Sequence, residues 1–466
     1  MKNIAILATD SHLYDQYFSN LANNLSEKYN IFLYATSKKV LDRYMLNEKI
    51  VCRYIQELDL VDVDIDINYS ELYPDFDRYT ILNYNNFLID YKRNYFNIKT
   101  FFKKNLVDDK IKIVIYEPPS NNFSLICSNL CLEFKILYIG LFNSRFNDRT
   151  DIVFGNSLNH SNQIKNYNSL VREYNTRKNI NVDKIVAEFI SKAGKSFPDY
   201  MQKTMWKSNG YINNIALIAF WILKYPVHFI KHLISKYTID YSTINIYTHG
   251  LNSYNRKMKA LFRKVFIPLR YDNNINFNLK YYIFPLHYQP EASTSVWGNV
   301  CDNQYTLIHR ILMNLPSDTF LFVKDHPAEY LYYNIEVYSK LRNNPKVVLL
   351  NSKINNEQLI KKSMGVFSIS STFAFEALVL NKKIGVFGEV FYKEFKNCYY
   401  LDSMDSIKNF LTNEEGNYDY NDLVDYAYNS IESNADFYTQ KSINRSCKNV
   451  IELINFLDEK EHLLHS

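Results

Sequence analysis

In 466 residues this chain has only six cysteines, no repeat at a fixed period and no low-complexity linker. The cysteines (Cys52, Cys127, Cys131, Cys301, Cys398 and Cys447) are scattered. Cys127 and Cys131 stand one helical turn apart, without a second pair or a nearby His, and read as a buried apolar pair rather than a metal site. The set fits a reducing cytoplasm and excludes a disulfide-stapled scaffold. An uninterrupted apolar span is also missing. The nearest candidate, Ile212 to Ile234, is broken by Asn213, Asn214, Lys224, Pro226, His228, Lys231 and His232, so a buried or interfacial helix is expected there rather than a bilayer crossing. The N-terminal Met1-Lys2-Asn3-Ile4-Ala5-Ile6-Leu7-Ala8 leads straight into a strand. It lacks the long apolar region and small-residue cleavage site of a signal peptide, and a cytoplasmic location is expected.

Charge is equally undramatic. A net +5 on 55.3 kDa is too mild to imply a nucleic-acid partner. The 22% charged and 47% hydrophobic residues are those of an ordinary soluble globular protein. The 40 tyrosines accompany abundant Asn, Lys and Ile and reflect an AT-rich genome rather than a stacking surface. The positive charge is uneven, however. Lys231 to Lys236 and Arg256 to Arg270 interleave Lys and Arg with aromatics and Leu. A solvated helix face explains this; so does peripheral contact of segment 253–270 with the inner face of the cytoplasmic membrane, or with a polyanionic substrate.

The length favours two domains, each able to bury a full core. Strand and helix alternate from the start: strands at Asn3–Thr9 and Tyr29–Thr36, helices at Leu13–Lys28 and Ser37–Asn47. Helical territory runs from about Tyr79 to Asn105, followed by a strand at Lys110–Tyr116, a crossover helix at Phe123–Cys131 and a strand at Phe134–Phe142. From about Thr150 to Leu279 the pattern is helical and poor in strands. The βαβ rhythm resumes with strands at Tyr281–His287, Thr319–Val323, Lys346–Leu350, Gly365–Ile369 and Lys383–Phe387. Helices over Tyr305–Asn314, Glu329–Leu341, Asn355–Ser363 and Thr372–Leu380 separate them. Two such series joined by a helical middle predict an α/β protein of two Rossmann-like domains facing across a cleft. The expected boundaries are 1–275 with the helical segment, 276–420, and a C-terminal helical piece, 421–466, packing back toward the first domain.

Three polar clusters stand at strand ends of the second series, and an open parallel sheet places all three on its ligand-binding edge. In Ser368-Ile369-Ser370-Ser371-Thr372, hydroxyls cap a following helix whose free N–H groups and dipole favour a phosphate. Glu376, one turn inside, is placed to accept from ribose hydroxyls. In Lys324-Asp325-His326-Pro327, His326 suits phosphate contact or leaving-group protonation, because its unperturbed pKa lies near neutrality. Lys324 adds a point charge, and Pro327 fixes the turn. The loop His287-Tyr288-Gln289-Pro290-Glu291 is costly after a buried strand unless its polar groups bond a ligand or one another; His287, Gln289 and Glu291 are candidates for base, sugar or acceptor recognition.

In the first series, Glu117 ends a strand and is the best placed carboxylate for a general base or nucleophile. Arg145 and Arg149 follow the next strand, where a guanidinium suits a sugar carboxylate or phosphate. The alternating Asp62, Asp64 and Asp66 mimic an Asp-x-Asp metal motif, yet an exposed acidic edge explains them equally well. No metal and no other cofactor is expected.

The stretch from Phe284 to Tyr392 resembles the capsular polysaccharide biosynthesis glycosyltransferases, a group that includes bacterial Kdo transferases. The resemblance lies in the His-Tyr-Gln-Pro-Glu-Ala-Ser-Thr run from His287, the Lys-x-His-Pro turn, Phe375-Glu376-Ala377-Leu378, Val386-Phe387-Gly388 and Tyr392. The helix start departs from the family in reading Ser-Ser-Thr-Phe in place of a Gly-Thr pair. The Lys-x-His-Pro and Ser-Ser elements are also similar to the nucleotide motifs of bacterial sialyltransferases. This resemblance implies a GT-B fold and a CMP-linked donor sugar such as Kdo, pseudaminic or a sialic-type acid. It further implies a glycan or glycolipid acceptor, with Lys324, His326, Ser370, Ser371 and Thr372 on the CMP phosphate and Glu376 on the ribose. A teichoic-acid-type phosphotransferase using CDP-linked alcohols and a non-catalytic capsule-assembly scaffold remain the alternatives.

Overall fold

The computed structural model describes residues 1–9, 14–55, 87–155, 162–195, 211–234, 250–272, 274–289, 291–298, 303–327, 335–414, 416–432 and 440–460. Asp62, Asp64, Asp66 and Pro290 lie outside the described residues, as do the first residues of the helix expected from Glu329. The chain forms two compact units, one containing Met1–Phe189 and Leu423–Ser466, the other Ile190–Thr238 and Ile246–Asp422.

The first unit opens with β1 (Asn3–Ala8), α1 (Asp15–Leu25), β2 (Asn30–Ala35), α2 (Lys38–Leu41) and β3 (Val51–Tyr54). It continues with α3 (Phe87–Asp108), β4 (Ile113–Tyr116), α4 (Asn122–Glu133), β5 (Leu137–Asn143), β6 (Arg149–Phe154) and α5 (Asn162–Arg177). Helix α6 (Val182–Lys192) spans the boundary. The second unit holds α7 (Tyr211–Ile234), α8 (Gly250–Phe266), a 3-10 turn at Ile267–Arg270, β7 (Lys280–Pro285), α9 (Ala292–Ser295) and α10 (Gln304–Leu312). It then adds β8 (Thr319–Lys324), α11 (Ile335–Arg342), β9 (Val347–Leu350), α12 (Asn356–Lys362), β10 (Val366–Ser368), α13 (Thr372–Val379), β11 (Ile384–Val386), β12 (Cys398–Tyr400) and α14 (Met404–Thr412). The chain finishes with α15 (Tyr420–Tyr428), β13 (Ser430–Glu432) and α16 (Gln440–Glu459), the last two in the first unit.

The first sheet has the order β13-β6-β5-β4-β1-β2-β3, and its five strands from β5 to β3 are parallel. The second has the order β12-β11-β10-β7-β8-β9, all parallel. Both are the Rossmann arrangement, in which the strand order reverses beside the first strand and leaves a crevice at the C-terminal edge. Parallel strands covered on both faces must be apolar throughout. Ile4 to Ala8, Tyr281 to Phe284 and Leu321 to Val323 are accordingly buried without a break. Two Rossmann-like units with a helical middle segment are the composition of a GT-B protein.

Four strands escape the sequence pattern: β3, β6, β12 and β13. Strand β6 begins Arg149-Thr150-Asp151, polar residues that hide an interior strand, and it runs antiparallel to β5. The Arg149 side chain donates from Nε to the Ser430 hydroxyl at 2.7 Å and from Nη2 to the Ser430 carbonyl, while Asp151 accepts from the Tyr426 hydroxyl. Those partners come from near the C-terminus and bring β13 alongside β6. The helical middle also differs from the expected 1–275 domain: α7 and α8 belong to the second unit. Helix α8 leads directly into Ile267, which is buried in the core of the second sheet beside Phe284 and Val323. The helix expected over Ser37–Asn47 is only the short α2. No helix among the described residues is long and apolar enough to cross a membrane.

Candidate active site

In the second unit the strand order reverses between β7 and β10, and the segments leaving these two strands meet. His287, just past β7, is buried, and its Nε2 accepts the Ser370 backbone N–H at 3.0 Å, with the Ser368 hydroxyl 3.3 Å away. An imidazole nitrogen that accepts an amide proton carries none itself, so the proton is on Nδ1. Burial pushes the His287 pKa down to about 4, and the ring is neutral. The loop is held from below by Gln304 at the start of α10. Its Oε1 accepts the His287 N–H at 2.7 Å, and its Nε2 donates to the His287 carbonyl and to Gln289 Oε1 at 3.2 and 2.8 Å. Gln289 and Gln304 are both fully buried. The polar cost of this loop is thus met by internal bonds, with His287 and Gln289 bracing it. Glu291 is exposed, accepts from the Ser293 hydroxyl at 2.7 Å and precedes α9.

The start of α13 is prepared by the same network. Ser371 is its N-cap: the Ser371 hydroxyl accepts the Ala374 N–H at 3.2 Å. That hydroxyl also accepts from the Ser368 hydroxyl at 2.8 Å, whose oxygen takes the Ser371 N–H at 2.9 Å. The Ser370 hydroxyl donates to the Ser293 carbonyl and the Tyr392 hydroxyl to the Ser371 carbonyl, both at 2.7 Å. Ser370 therefore has both its N–H and its hydroxyl committed to the loop from β7. Among the described residues, no acceptor meets the backbone N–H of Thr372 or Phe373. Those two donors stand at the positive end of the helix dipole, where negative charge is favoured. Gly388, after β11, is required nearby: a Cβ there would lie 2.7 Å from the Trp297 carbonyl, which accepts the Glu389 N–H.

Lys324 ends β8, is almost fully buried and donates to the Ser352 carbonyl. Burial pushes its ammonium down to about 8 against the opposing pull of Asp325 and Glu376. Asp325 is buried between two phenols, accepting from Tyr271 and, at 2.8 Å, from Tyr338. Burial pushes its carboxyl up to about 6 despite those donors. Its Oδ1 also takes the His326 N–H at 2.9 Å, which orients the turn. Burial, with His287 and Lys324 close by, pushes His326 down to about 3. The His326 ring lies 6.0 Å from that of Tyr288, and Pro327 follows half-buried. At neutral pH the turn thus offers one buried cation and one neutral imidazole.

The first unit has its own reversal, between β1 and β4. Glu117 leaves β4 there, half-buried, and accepts from the Ser120 hydroxyl at 2.5 Å. The Tyr138 hydroxyl donates to the Glu117 carbonyl at 2.8 Å, fixing the turn. Thr9, beyond β1, shares a 2.6 Å hydrogen bond with the Tyr116 hydroxyl. Arg43 pairs with Asp15 at 2.8 Å and donates to the Thr9 carbonyl. On β5, Gly140 allows the Glu117-Pro118 turn to sit against the sheet, since a Cβ there would be 3.0 Å from the Pro118 nitrogen. Arg145 lies in the β5–β6 turn, over the Phe142 ring at 5.6 Å, and its N–H donates to the Tyr426 hydroxyl at 3.4 Å. Arg149 is buried in the sheet with Ser430, and burial pushes its guanidinium down to about 10.

Each unit therefore gathers predicted residues at its own reversal point. His287, Ser370, Ser371 and Thr372 converge in the second, with Lys324 and Glu376 in electrostatic contact beside them. Glu117 occupies the first, apart from Arg149. Gln304 and the Tyr271–Asp325–Tyr338 group were not legible, because a buried Gln and paired phenols read in sequence like any helix or surface residue. Among the described residues, no three His, Cys, Asp or Glu side chains are grouped to hold a metal ion.

Residues 185–396 match the family model of capsule polysaccharide biosynthesis proteins, a stretch that includes β7 to β11 and every second-unit residue of the candidate site. No curated protein matches the chain. Among solved structures, the Thermosulfurimonas dismutans KpsC beta Kdo 2,7 transferase is 12% identical, with 81% of this chain and 98% of that chain covered and a TM-score of 0.34. The Methanocaldococcus jannaschii UDP-GlcNAc 2-epimerase, in complex with UDP-GlcNAc and UDP, is 11% identical over 98% of this chain and 100% of that chain, with a TM-score of 0.31. The fold class rests on the strand orders given above.

Proposed function

We propose that the protein is a glycosyltransferase that moves a nonulosonic or ulosonic acid, of the Kdo, pseudaminic or sialic type, from CMP to a capsular or surface glycan, without a metal ion. The observation that carries this reading is the pair of orphan N–H groups at Thr372 and Phe373, beside Lys324 and His326, within the stretch matching the capsule family. The CMP phosphate seats on those N–H groups, and Lys324 supplies the compensating charge. His326, neutral in the free site, donates a hydrogen bond. Ser370 and Ser371 hold the helix start in place, and Glu376 accepts from the ribose hydroxyls.

In the reaction, the acceptor hydroxyl oxygen bonds to the anomeric carbon as the bond from that carbon to the CMP phosphate oxygen breaks. The electron pair leaves on CMP, and a general base takes the acceptor proton, the role for which Glu117 is the candidate. A preorganised helix N-terminus and a buried ammonium stabilise such a leaving group because they need no reorientation as its charge develops. Arg145 is the candidate partner of a sugar carboxylate, while Arg149 supports its own strand through Ser430. The reaction takes place in the cytoplasm, against the membrane. Titration with CMP, CDP and UDP tests the donor class, with selective CMP binding expected; a preference for UDP would overturn it. A phosphodiester product in place of a glycosidic one would assign the chain to the teichoic-acid-type phosphotransferases.

A further inference from the structure

Helix α7 is unusual for a globular protein. Ile215, Phe220, Ile222, Leu223, Val227 and Ile230 are 46%, 50%, 53%, 79%, 48% and 55% exposed, and the 24-residue helix contains no Asp or Glu. Helix α8 covers one side of it. Tyr254 of α8 lies against Trp221, Tyr225 and His228, with ring centroids 6.2, 5.3 and 5.4 Å apart. Helix α8 adds Phe262 and Phe266, exposed and stacked at 6.1 Å. The helix pair thus presents apolar side chains along about four turns of α7 and on more than one face, well beyond scattered surface hydrophobics.

The charge carried by this stretch of the sequence identifies the occupant. Residues 200–271 contain eleven Lys and Arg against the single Asp240, a net of +10, so the rest of the chain carries −5 of the overall +5. A second copy of this chain would bring +10 against +10. An anionic bilayer satisfies both features, taking the apolar side chains among its upper acyl carbons and the cations at its headgroups. The polar Asn213, Asn214, Lys224 and His228, with Pro226, keep the helix from crossing, in line with the absence of a membrane-spanning helix among the described residues. At about 1.5 Å per residue, α7 would lie along roughly 36 Å of membrane surface.

We propose that the α7–α8 hairpin is a monotopic membrane-docking element, with the outer face of α7 inserted into the interfacial layer of an anionic phospholipid bilayer. The basic segment 253–270 supplies electrostatic attraction, and the apolar face of α7 supplies the insertion. This inference is independent of the transferase reading, since it concerns a surface and not the reaction.

The full chain is floated with vesicles of phosphatidylcholine alone or with one third phosphatidylglycerol. Binding to the anionic vesicles is expected, at least tenfold weaker to the neutral ones. The Leu223→Glu, Ile230→Glu chain should lose tenfold or more of the anionic binding, with an unchanged circular dichroism spectrum because both side chains are exposed. A Leu223→Trp chain should show fluorescence quenching by lipids brominated on the upper acyl carbons. Failure of the full chain to float, undiminished binding by the double variant, or no quenching at position 223 overturns the proposal. So does a double variant that binds vesicles normally while its mass by light scattering halves, an outcome that assigns the face to a second copy.

Discussion

Lys324 offers a quantitative handle on the proposed phosphate seat. Its ammonium is held down to about 8 by burial, so raising the pH from 7 to 10 removes its proton in the free protein. A phosphate oxygen about 4 Å away, at an effective dielectric of about 20, attracts the ammonium by roughly 4 kcal/mol, or about 3 pH units. With CMP bound, Lys324 should therefore titrate near ~11. Between these two values CMP binding takes up one proton, and its Kd should rise about tenfold per pH unit, roughly hundredfold from pH 8 to 10. The phosphate itself is fully ionised over that range. The assay is a titration of CMP followed by calorimetry at pH 7, 8, 9 and 10, repeated with cytidine, which lacks the phosphate and should give a flat profile. Lys324→Met should bind CMP weakly, with no slope. A flat profile for the unmodified protein, or a slope that survives in Lys324→Met, would refute the placement of this ammonium against the phosphate.

Other perturbations test the supports. Glu117→Gln should cut turnover by a hundredfold or more with CMP affinity kept, as expected of a group acting on the acceptor; a collapse of CMP binding would make it a donor-binding residue. His287 titrates at 6.5 when unfolded and about 4 when folded, so stability should fall by about 3 kcal/mol as the pH drops from 6.5 to 4. The unfolded chain takes up a proton over that range that the buried ring refuses, and denaturant titrations of His287→Gln should show this acid limb flattened. Arg149→Met should cost about 2–4 kcal/mol, read as a lowered urea midpoint, because it strips the Ser430 hydroxyl and carbonyl of a buried partner. Gly140→Ala should push the Glu117 turn outward at a cost of about 1–3 kcal/mol, lowering turnover more than CMP affinity.

Most of the architecture was legible because its signal is local. A parallel strand covered on both faces is a short apolar run, and β1, β2, β4, β5 and β7 to β11 announce themselves that way. Ser371 and Thr372 were legible as a helix start for the same reason, since a cap is a bond between residues three apart. Strand β6 was hidden because its arginine and aspartate are paid for by Ser430 and Tyr426, nearly three hundred residues further on. The sequence likewise offered Ser370 as a phosphate donor, whereas its N–H is given to His287 and the open donors are those of Thr372 and Phe373.

What the sequence by itself determined is the alternation of buried strands and helices, the polar clusters at the strand ends, and the concentration of positive charge in residues 200–271. These follow from residue type and short-range spacing. Only the tertiary structure decided which clusters share a reversal point of their sheet, which polar groups are already spent on one another, and that the apolar side chains of α7 stand uncovered. Those outcomes depend on partners distant in the chain, and a hydrogen bond or a buried contact has no counterpart in the sequence until the two segments that make it are brought together.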